Sequence, residues 1–314
     1  MLDRRPSRPF KCCACGRDPL GALLFSFALG RFERYRIMNI ILVHGFFGFR
    51  TFVGVEYFNG VKAHLDATFK GLPIQVLVPQ INPVGRVEAR GQELTGQIAN
   101  ALITGMLNPG EPVHIIAHSM GGLDARYCIS SGYNKNVAAK IASLTTIATP
   151  HWGSPVADLL TADNDLDRIK RDLLVSTGPF GDLVKDVDLN AGGIQDLTSK
   201  SAKLFNQTYR DDPHVNYFSY AGSGRVGGLR TCALLLPTYA LISASGDSNN
   251  DGLVSVESAT WGQRIDVWAG DHADEIGHNL DQGLIAPTSA FNHLEKYEII
   301  VNMLESLDIT PIHL

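Results

Sequence analysis

Residues 113–122, VHIIAHSMGG, constrain the fold of this 314-residue chain more than any other stretch. An apolar run that closes on a tight turn is typical of a buried parallel strand. The residues after Gly122 suit a helix, so Ser119 lies on a turn from a strand to a helix. Such a turn raises the hydroxyl above the carboxyl edge of the sheet, beside the first amides of the helix. We predict that Ser119 is a nucleophile; the alternative is a serine that only caps a helix.

The segments on both sides of this turn alternate between strand and helix patterns. Parallel sheets built in this way carry helices on both faces and bind ligands at the carboxyl ends of their strands. No linker divides residues 38–314, so we predict one domain there. The predicted strands, besides the one that leads to Ser119, are 38–43, 72–78, 138–147, 214–220 and 265–269, and the predicted helices include 59–69, 86–106 and 292–307.

Charge and cysteine content exclude several classes of protein. The net charge is −5 and the body of the chain contains no basic block, so no nucleic acid partner is expected. Three of the five cysteines, Cys12, Cys13 and Cys15, crowd the N-terminus without a second pair at zinc spacing. An odd number of cysteines without regular spacing does not describe a disulfide framework either.

Residues 1–37 differ in character from the rest of the chain. Basic residues precede a short apolar run at 20–29, as in a signal peptide, but no A-x-A-like site follows, and the run is too short to span a membrane. We predict an N-terminal extension outside the fold, upstream of a natural start at Met38; a signal or anchor and a folded extension are alternatives. The protein would be cytoplasmic if Met38 is the true start and secreted if residues 1–37 act as a signal.

A serine nucleophile needs a histidine that takes its proton and a carboxylate that orients this histidine. Among ten histidines, His272 is the predicted base because it directly follows a strand late in the chain. His278 and His293 are rivals, each placed where the chain has left the sheet edge. Asp251, in a polar turn that enters an apolar stretch, is the predicted orienting acid. The order Ser119, Asp251, His272 is that of the α/β-hydrolase fold.

Other histidines lie near predicted strand ends. His44 and His151 are expected to shape the site, and so is His118, although its side chain should point away from the neighbouring hydroxyl. His114, within a strand, is predicted to be a hydrogen-bonded core residue. The glycine-rich turn after His44 allows backbone N–H groups to point into the site.

Residues 154–200 interrupt the alternation of strands and helices. An ordinary pair of surface helices explains this pattern, and so does a mobile cap over the site with glycine hinges. Apolar residues between charged positions form a stripe over about 157–187, namely Leu159, Leu160, Leu166, Ile169, Leu173, Leu183, Val184 and Val187.

Taken together, the motifs from Met38 nearly to the C-terminus resemble those of the bacterial true lipases of the Pseudomonas and Burkholderia type. The resemblance implies an α/β-hydrolase fold, a helical lid at about 157–187, and an oxyanion hole formed by the N–H groups of Phe46 and Met120. It also implies esters of long-chain acylglycerols as substrates and a lipid–water interface as a possible partner. The motifs that carry it are VHGFFG at 43–48, Arg90-Gly91, residues 117–122, TPHWGS at 149–154, NDGLV at 250–254 and HADEI at 272–276.

The sequence departs from this family at the family's structural calcium site. Asp274 matches one ligand, but His278 occupies the position of a side-chain amide ligand. Residues 223–246 hold no counterpart of the second Asp, and Glu257 stands where some members have a disulfide cysteine. A structural calcium is therefore doubtful, and we predict no metal and no other cofactor.

The sequence thus predicts a serine carboxylic-ester hydrolase, a lipase that cleaves acylglycerols through an acyl-enzyme intermediate. A short-chain or polyester-cleaving esterase of the same fold is one alternative. Another is an acyltransferase, in which an alcohol replaces water, and a noncatalytic binding protein of this fold is a third. The oligomeric state is left open.

Overall fold

The computed structural model describes residues 38–46, 51–52, 55–71, 74–176, 192–224, 231–278 and 291–307. Six of the described strands form one parallel sheet in the order β4-β1-β5-β6-β7-β8, and β2 and β3 form a short antiparallel pair. The strands are β1 Met38–Val43, β2 Thr51–Phe52, β3 Val55–Glu56, β4 Ile74–Leu77, β5 Val113–His118, β6 Ile141–Ile147, β7 Asn216–Gly222 and β8 Gln263–Trp268.

Helices connect these strands. A single 3₁₀ turn, Asp274–Ile276, follows β8. No helix within the described ranges is long and apolar enough to cross a membrane. The helices are α1 Val61–Thr68, α2 Val87–Thr104, α3 Gly121–Ser130, α4 Lys135–Ala138, α5 Pro155–Leu160, α6 Asp165–Ser176, α7 Gly193–Asp196, α8 Ser199–Thr208, α9 Leu236–Ala244, α10 Val256–Ala259 and α11 His293–Ser306.

The central strands β1, β5 and β6 are buried along their whole length. Alternate residues of a strand face opposite sides of the sheet. Ile40 of β1 accordingly joins the core beneath α1 and α11, whereas Ile41 joins the core beneath α2 and α3. Helices therefore cover both faces, which confirms the predicted fold class. The pairing of Val43 with Ala117 also brings β1 and β5 to an end at the same level.

Two predicted strands begin too early: the one predicted from 214 begins at Asn216, and the larger difference is at β6. The pattern placed a strand at 138–147, but β6 begins at Ile141 because α4 occupies Lys135–Ala138. The side chain of Asn134 caps this helix by accepting a hydrogen bond from the Val137 N–H. Residues 1–37 and the part of the predicted lid at 177–187 lie outside the described residues, so both predictions stay predictions.

Buried His114 is predicted to make the folded protein less stable as the pH falls. Its ring is buried against the Ser143 hydroxyl at 2.8 Å, and burial lowers its pKa to about 4, as it does for His44. Between pH 6.5 and 4 the unfolded chain then binds protons that the folded chain does not, so stability falls as the pH falls. Asn at position 114 cannot take up this proton. We therefore expect the Tm of His114→Asn to fall less between pH 7 and pH 5 than the Tm of the parent protein. Equal losses in thermal unfolding would contradict the assignment.

Candidate active site

Ser119 lies on the turn that joins β5 to α3, as predicted. Its φ is 55°, a backbone conformation that is strained for a side-chain-bearing residue and costs about 1–3 kcal/mol. Three hydrogen bonds hold the strained residue. Its N–H donates to the Ile147 carbonyl at 2.9 Å, and its carbonyl accepts from the Thr149 hydroxyl at 2.7 Å and from the Gly122 N–H at 3.1 Å. The turn is thus built into the sheet on both sides of the serine.

The glycine two residues after Ser119 is required by close packing. A Cβ at Gly121 would lie 2.5 Å from the Val43 carbonyl oxygen at the end of β1. The N-terminus of α3 therefore lies directly against the last residue of β1. Close approach of this kind brings the nucleophile and the turn after β1 together.

Asp251 and His272 form a hydrogen-bonded acid–base pair. The Nδ1–H of His272 donates to Asp251 Oδ2 at 2.8 Å, and the two residues are also joined by a backbone hydrogen bond of 3.0 Å. The other carboxylate oxygen of Asp251 accepts from the N–H groups of Leu253 and Val254 at 2.8 and 2.6 Å. With its hydrogen on Nδ1, neutral His272 has Nε2 available to accept a proton.

The rival histidines are engaged elsewhere. His278 Nε2 donates to the Tyr57 carbonyl at 2.9 Å, and His293 Nε2 donates to the Asn59 carbonyl at 2.7 Å. His272, by contrast, packs its ring against the ring of His118, the residue before Ser119, with 4.5 Å between the ring centroids. Of the three candidates, the structure brings His272 to both Asp251 and the neighbourhood of Ser119.

Two polar residues that the sequence analysis missed hold the acid and base loops. Asn250 is buried beneath α9, where its side chain donates to the Asp247 carbonyl at 2.9 Å and accepts from the Gly252 N–H at 2.9 Å. Asp271 accepts from the N–H groups of Ala273 and Asp274, each at 3.0 Å, and from the Cys232 N–H at 2.7 Å. Asn250 precedes Asp251 and Asp271 precedes His272, the predicted acid and base. An Asn or Asp that bonds nearby amides is the signal that indicates such turns.

The turn after β1 carries Phe46, a predicted oxyanion donor. The Ile81 N–H donates to His44 Nε2 at 3.3 Å, so neutral His44 carries its hydrogen on Nδ1 and donates it to the Gly45 carbonyl at 3.0 Å. Burial and the charge of Arg90 lower the pKa of His44 to about 4, which keeps the ring neutral. Because the N–H and C=O of a trans peptide point in opposite directions, the Phe46 N–H faces away from the His44 ring.

Gly45 places this turn against the nucleophile. A Cβ at Gly45 would lie 2.6 Å from the Cβ of Ser119, so only glycine fits. The second predicted donor, Met120, is fully buried as the first residue of the turn into α3. The backbone around Phe46 and Met120 therefore flanks Ser119 from two sides.

Arg90 of α2 is a further residue whose role the sequence analysis did not identify. Its guanidinium bonds the carboxylate of Asp124 on α3 at 2.9 and 2.6 Å and donates to the carbonyls of His44, at 2.9 Å, and Asn82. Both partners of the ion pair are fully buried. Burial raises the pKa of Asp124 to about 6, although the charge of Arg90 opposes this rise. Arg90 thus ties two helices to the turn that carries Phe46.

His151, which was expected to shape the site, makes its contacts elsewhere. Its ring bonds the Thr146 hydroxyl at 3.1 Å, lies 3.4 Å from the Arg126 guanidinium, and stacks on Trp261. These partners form a separate cluster on the α3 side of the sheet. Within the described residues, the hydrogen bonds and ring contacts of the His151 side chain go to these partners, and none goes to Ser119, Asp251 or His272.

Among the residues that the structure describes, those at the expected calcium position do not fit the ion. Asp274 Oδ2 accepts a hydrogen bond from the Asp271 N–H at 3.1 Å, and the His278 side chain bonds a carbonyl. Residues 223–246 contain no acidic residue. His118, His272 and Glu275 bring possible ligand atoms within 4.8 Å of one another, but these atoms are used in hydrogen bonds to each other and to Asp251.

Replacing Arg90 is predicted to separate stability from activity. Arg90→Met leaves Asp124 buried without its partner, which costs about 3–5 kcal/mol of unfolding free energy. The double variant Arg90→Met/Asp124→Leu should regain much of this stability, but its activity should stay low because the His44 carbonyl has lost its donor. Urea unfolding and turnover of a soluble ester measure the two effects. A double variant with parental turnover would contradict the positioning of this turn by Arg90.

Comparison with known proteins places this geometry in a family. A family model described as a PGAP1-like alpha/beta domain matches residues 93–222. A triacylglycerol lipase of Vibrio cholerae is 31% identical over 262 residues, which cover 76% of this chain and 78% of the relative. Triacylglycerol lipase 2 of Saccharomyces cerevisiae is 33% identical over 71% of this chain and 62% of its own length.

Solved structures agree on the fold. A metagenomic carboxyl esterase aligns with a TM-score of 0.65 at 18% identity, over 86% of this chain and 76% of its own. The lipase of Staphylococcus hyicus aligns with a TM-score of 0.62 at 20% identity, over 86% and 96% of the two chains. On the identity to the Vibrio lipase over most of both chains, this chain belongs to the triacylglycerol lipase family of the α/β-hydrolase superfamily.

Proposed function

We propose that this protein is a serine carboxylic-ester hydrolase that cleaves acylglycerols. The observation that carries the proposal is the 2.8 Å hydrogen bond between His272 Nδ1 and buried Asp251, beside the strained turn at Ser119. Membership of a family whose curated relatives are named triacylglycerol lipases supports an acylglycerol ester as the substrate.

In the proposed reaction, Ser119 Oγ attacks the ester carbonyl and its proton passes to His272 Nε2. Asp251 stabilises the imidazolium that forms, and the N–H groups of Phe46 and Met120 stabilise the oxyanion. Collapse of this intermediate breaks the ester bond, and the leaving alcohol takes the proton from His272. Water then gives a proton to His272 and attacks the acyl-enzyme. When the acyl bond breaks, His272 returns this proton to Ser119 Oγ, which releases the fatty acid and restores Ser119.

An apolar cluster next to the oxyanion turn suits an acyl chain. The side chain of Phe46 packs against this cluster, which extends from α5 through α7 to α9. Its buried members, which are all apolar or sulfur-bearing, are Val156, Ala157, Leu160, Ile194, Cys232, Leu234, Leu235 and Ile242. A hydrocarbon chain gains free energy on transfer from water to such a surface.

The described part of the proposed lid, residues 157–176, comprises the end of α5 and the whole of helix α6. Helix α6 is the part proposed to move. It packs on α5, and its residues Leu174 and Val175 lie against the apolar cluster. Near its other end, Leu166 is 63% exposed. A helix that covers apolar surface in water can turn the same side chains toward lipid at an interface. The proposed lid therefore opens when the enzyme meets its substrate as a lipid phase.

The triad proposal predicts a large loss of activity from single substitutions. Ser119→Ala and His272→Ala should each lower kcat by roughly 10⁴–10⁶, since triad residues act as a unit. Hydrolysis of a p-nitrophenyl ester measures this loss, and covalent labelling by a fluorophosphonate should disappear with Ser119→Ala. Activity that survives His272→Ala but not His278→Ala would show that the base is misassigned. Esters formed in the presence of added alcohol would indicate an acyltransferase instead.

The lid proposal predicts a sharp rise in the rate of long-chain ester hydrolysis above the solubility limit of the substrate. Each apolar side chain kept from water contributes roughly 1.5–3 kcal/mol, so a few of them decide the balance between closed and open forms. Replacing Leu174 and Val175 with Ser should flatten the rise and spare soluble short-chain esters. Leu204→Ser, at an exposed position on α8, is the matched control. Smooth saturation through the solubility limit in the parent protein would favour an open-site esterase.

A further inference from the structure

A buried chain of hydrogen bonds runs behind the proposed triad. The Gly45 N–H donates to the Tyr57 hydroxyl at 3.0 Å, and this hydroxyl lies 2.7 Å from His118 Nδ1. His118 Nε2 in turn lies 3.0 Å from Glu275 Oε2. One end of this hydrogen-bond chain is the N–H of the peptide between His44 and Gly45. The other end is Glu275, three residues after His272. The chain therefore joins the oxyanion turn to the loop of the base.

The hydrogen bonds of this hydrogen-bond chain all run in one direction, with each group donating to the next from Gly45 to Glu275. An amide N–H can only donate, so the Tyr57 oxygen accepts from Gly45. Among the described residues, His118 Nδ1 is the acceptor in reach of the single hydroxyl hydrogen of Tyr57. Neutral His118 then carries its own hydrogen on Nε2 and donates it to Glu275.

The backbone of Tyr57 is attached to the same loop. His278 donates to the Tyr57 carbonyl at 2.9 Å, and the Asn59 N–H donates to the Ile276 carbonyl at 3.0 Å. The Asn59 side chain adds a bond of 2.8 Å to the Gly277 carbonyl. Tyr57 is thus fixed to the base loop by its backbone and to the oxyanion turn by its hydroxyl.

We propose that Tyr57 and His118 are positioning residues for ester hydrolysis, which hold the oxyanion turn in register with the loop that carries His272. The proposal rests on the proposed function. The Tyr57 hydroxyl holds the N–H of the peptide between His44 and Gly45, while Arg90 holds the carbonyl of the same peptide at 2.9 Å. The next peptide is held by its carbonyl, since Gly45 O accepts from His44 Nδ1 at 3.0 Å and from Arg90 at 3.3 Å. With both peptide planes held, the direction of the Phe46 N–H is set as well.

The pKa values of His118 and Glu275 in the hydrogen-bond chain are consistent with this role. Burial lowers the pKa of His118 well below its usual value, and the neighbouring His272 lowers it further. Burial and the charge of Asp251 raise the pKa of Glu275 well above its usual value. An uncharged His118 does not compete with His272 for a proton during the reaction. The chain therefore orients groups without adding a charge beside the base.

Tyr57→Phe tests the proposal, with Tyr220→Phe as a matched control. Tyr220 is a buried tyrosine, whereas Tyr57 is half-buried, and the Tyr220 hydroxyl faces the Met303 sulfur at 3.9 Å. We expect Tyr57→Phe to lower kcat about tenfold with KM nearly unchanged, because oxyanion contacts strengthen in the transition state. This loss is smaller than the one caused by removal of a whole oxyanion donor, which lowers kcat by about 10²–10³. Active sites titrated with a fluorophosphonate give kcat per folded enzyme, so a purely structural defect would leave this value unchanged. A kcat equal to that of Tyr220→Phe would overturn the proposal.

A pair of His118 variants tests the direction of the chain. The side-chain oxygen of Asn can take the place of Nδ1 and accept from Tyr57, whereas the amide of Gln takes the place of Nε2 and reaches Glu275 alone. His118→Asn should therefore keep more kcat than His118→Gln. The reverse order would overturn the proposal, even if Tyr57→Phe failed to fold.

The proposed function is tested separately by Ser119→Ala. Loss of activity in this variant, with parental kcat in Tyr57→Phe, would retain the hydrolase and reject the positioning role. Activity that persists in Ser119→Ala would instead reject the nucleophile on which the proposed function depends.

Discussion

The buried ion pair between Arg90 and Asp124 is the contact on which the arrangement of the site depends. Removing two charges from water is costly, and the cost is recovered only where further hydrogen bonds satisfy the guanidinium. Here those bonds go to the carbonyls of His44 and Asn82, so the ion pair is stable only when the turn after β1 is in place. The same atoms that pack α2 against α3 therefore define the position of the oxyanion turn.

The site is assembled from two parts with different kinds of support. Ser119 and Gly45 leave adjacent, fully buried strands, and their positions follow from backbone pairing within the sheet. Asp251 and His272 lie on longer loops, where side chains replace the sheet as the support: Asn250 bonds the acid loop and Asp271 the base loop. Tyr57 connects the two parts, since it contacts both. Rigid and loop-borne groups are thus aligned by a few buried polar contacts.

Sequence patterns predicted the fold, and they pointed to the three residues proposed as the triad, because both leave local signals. A buried strand before a Ser and a pair of glycines after it are visible in ten residues, and the chain order of Ser119, Asp251 and His272 is a property of the fold. Tyr57 and Glu275 were missed because their contacts join positions 12 and 157 residues away, in Gly45 and His118. His151 was expected to shape the site because it follows a strand, but its ring stacks on Trp261, a contact between positions 110 residues apart that leaves no local signal.

The proposed site can form only if β1 and β5 pair in the observed register. Val43 pairs with Ala117, so the two residues that follow, His44 and His118, emerge side by side above the same edge. Sliding one strand by a single residue would turn alternate side chains to the opposite face and separate the turn from the nucleophile. Changes of chain length are therefore compatible with the site only between strands, for instance at the exposed tip Pro109-Gly110, which lies at the opposite edge of the sheet.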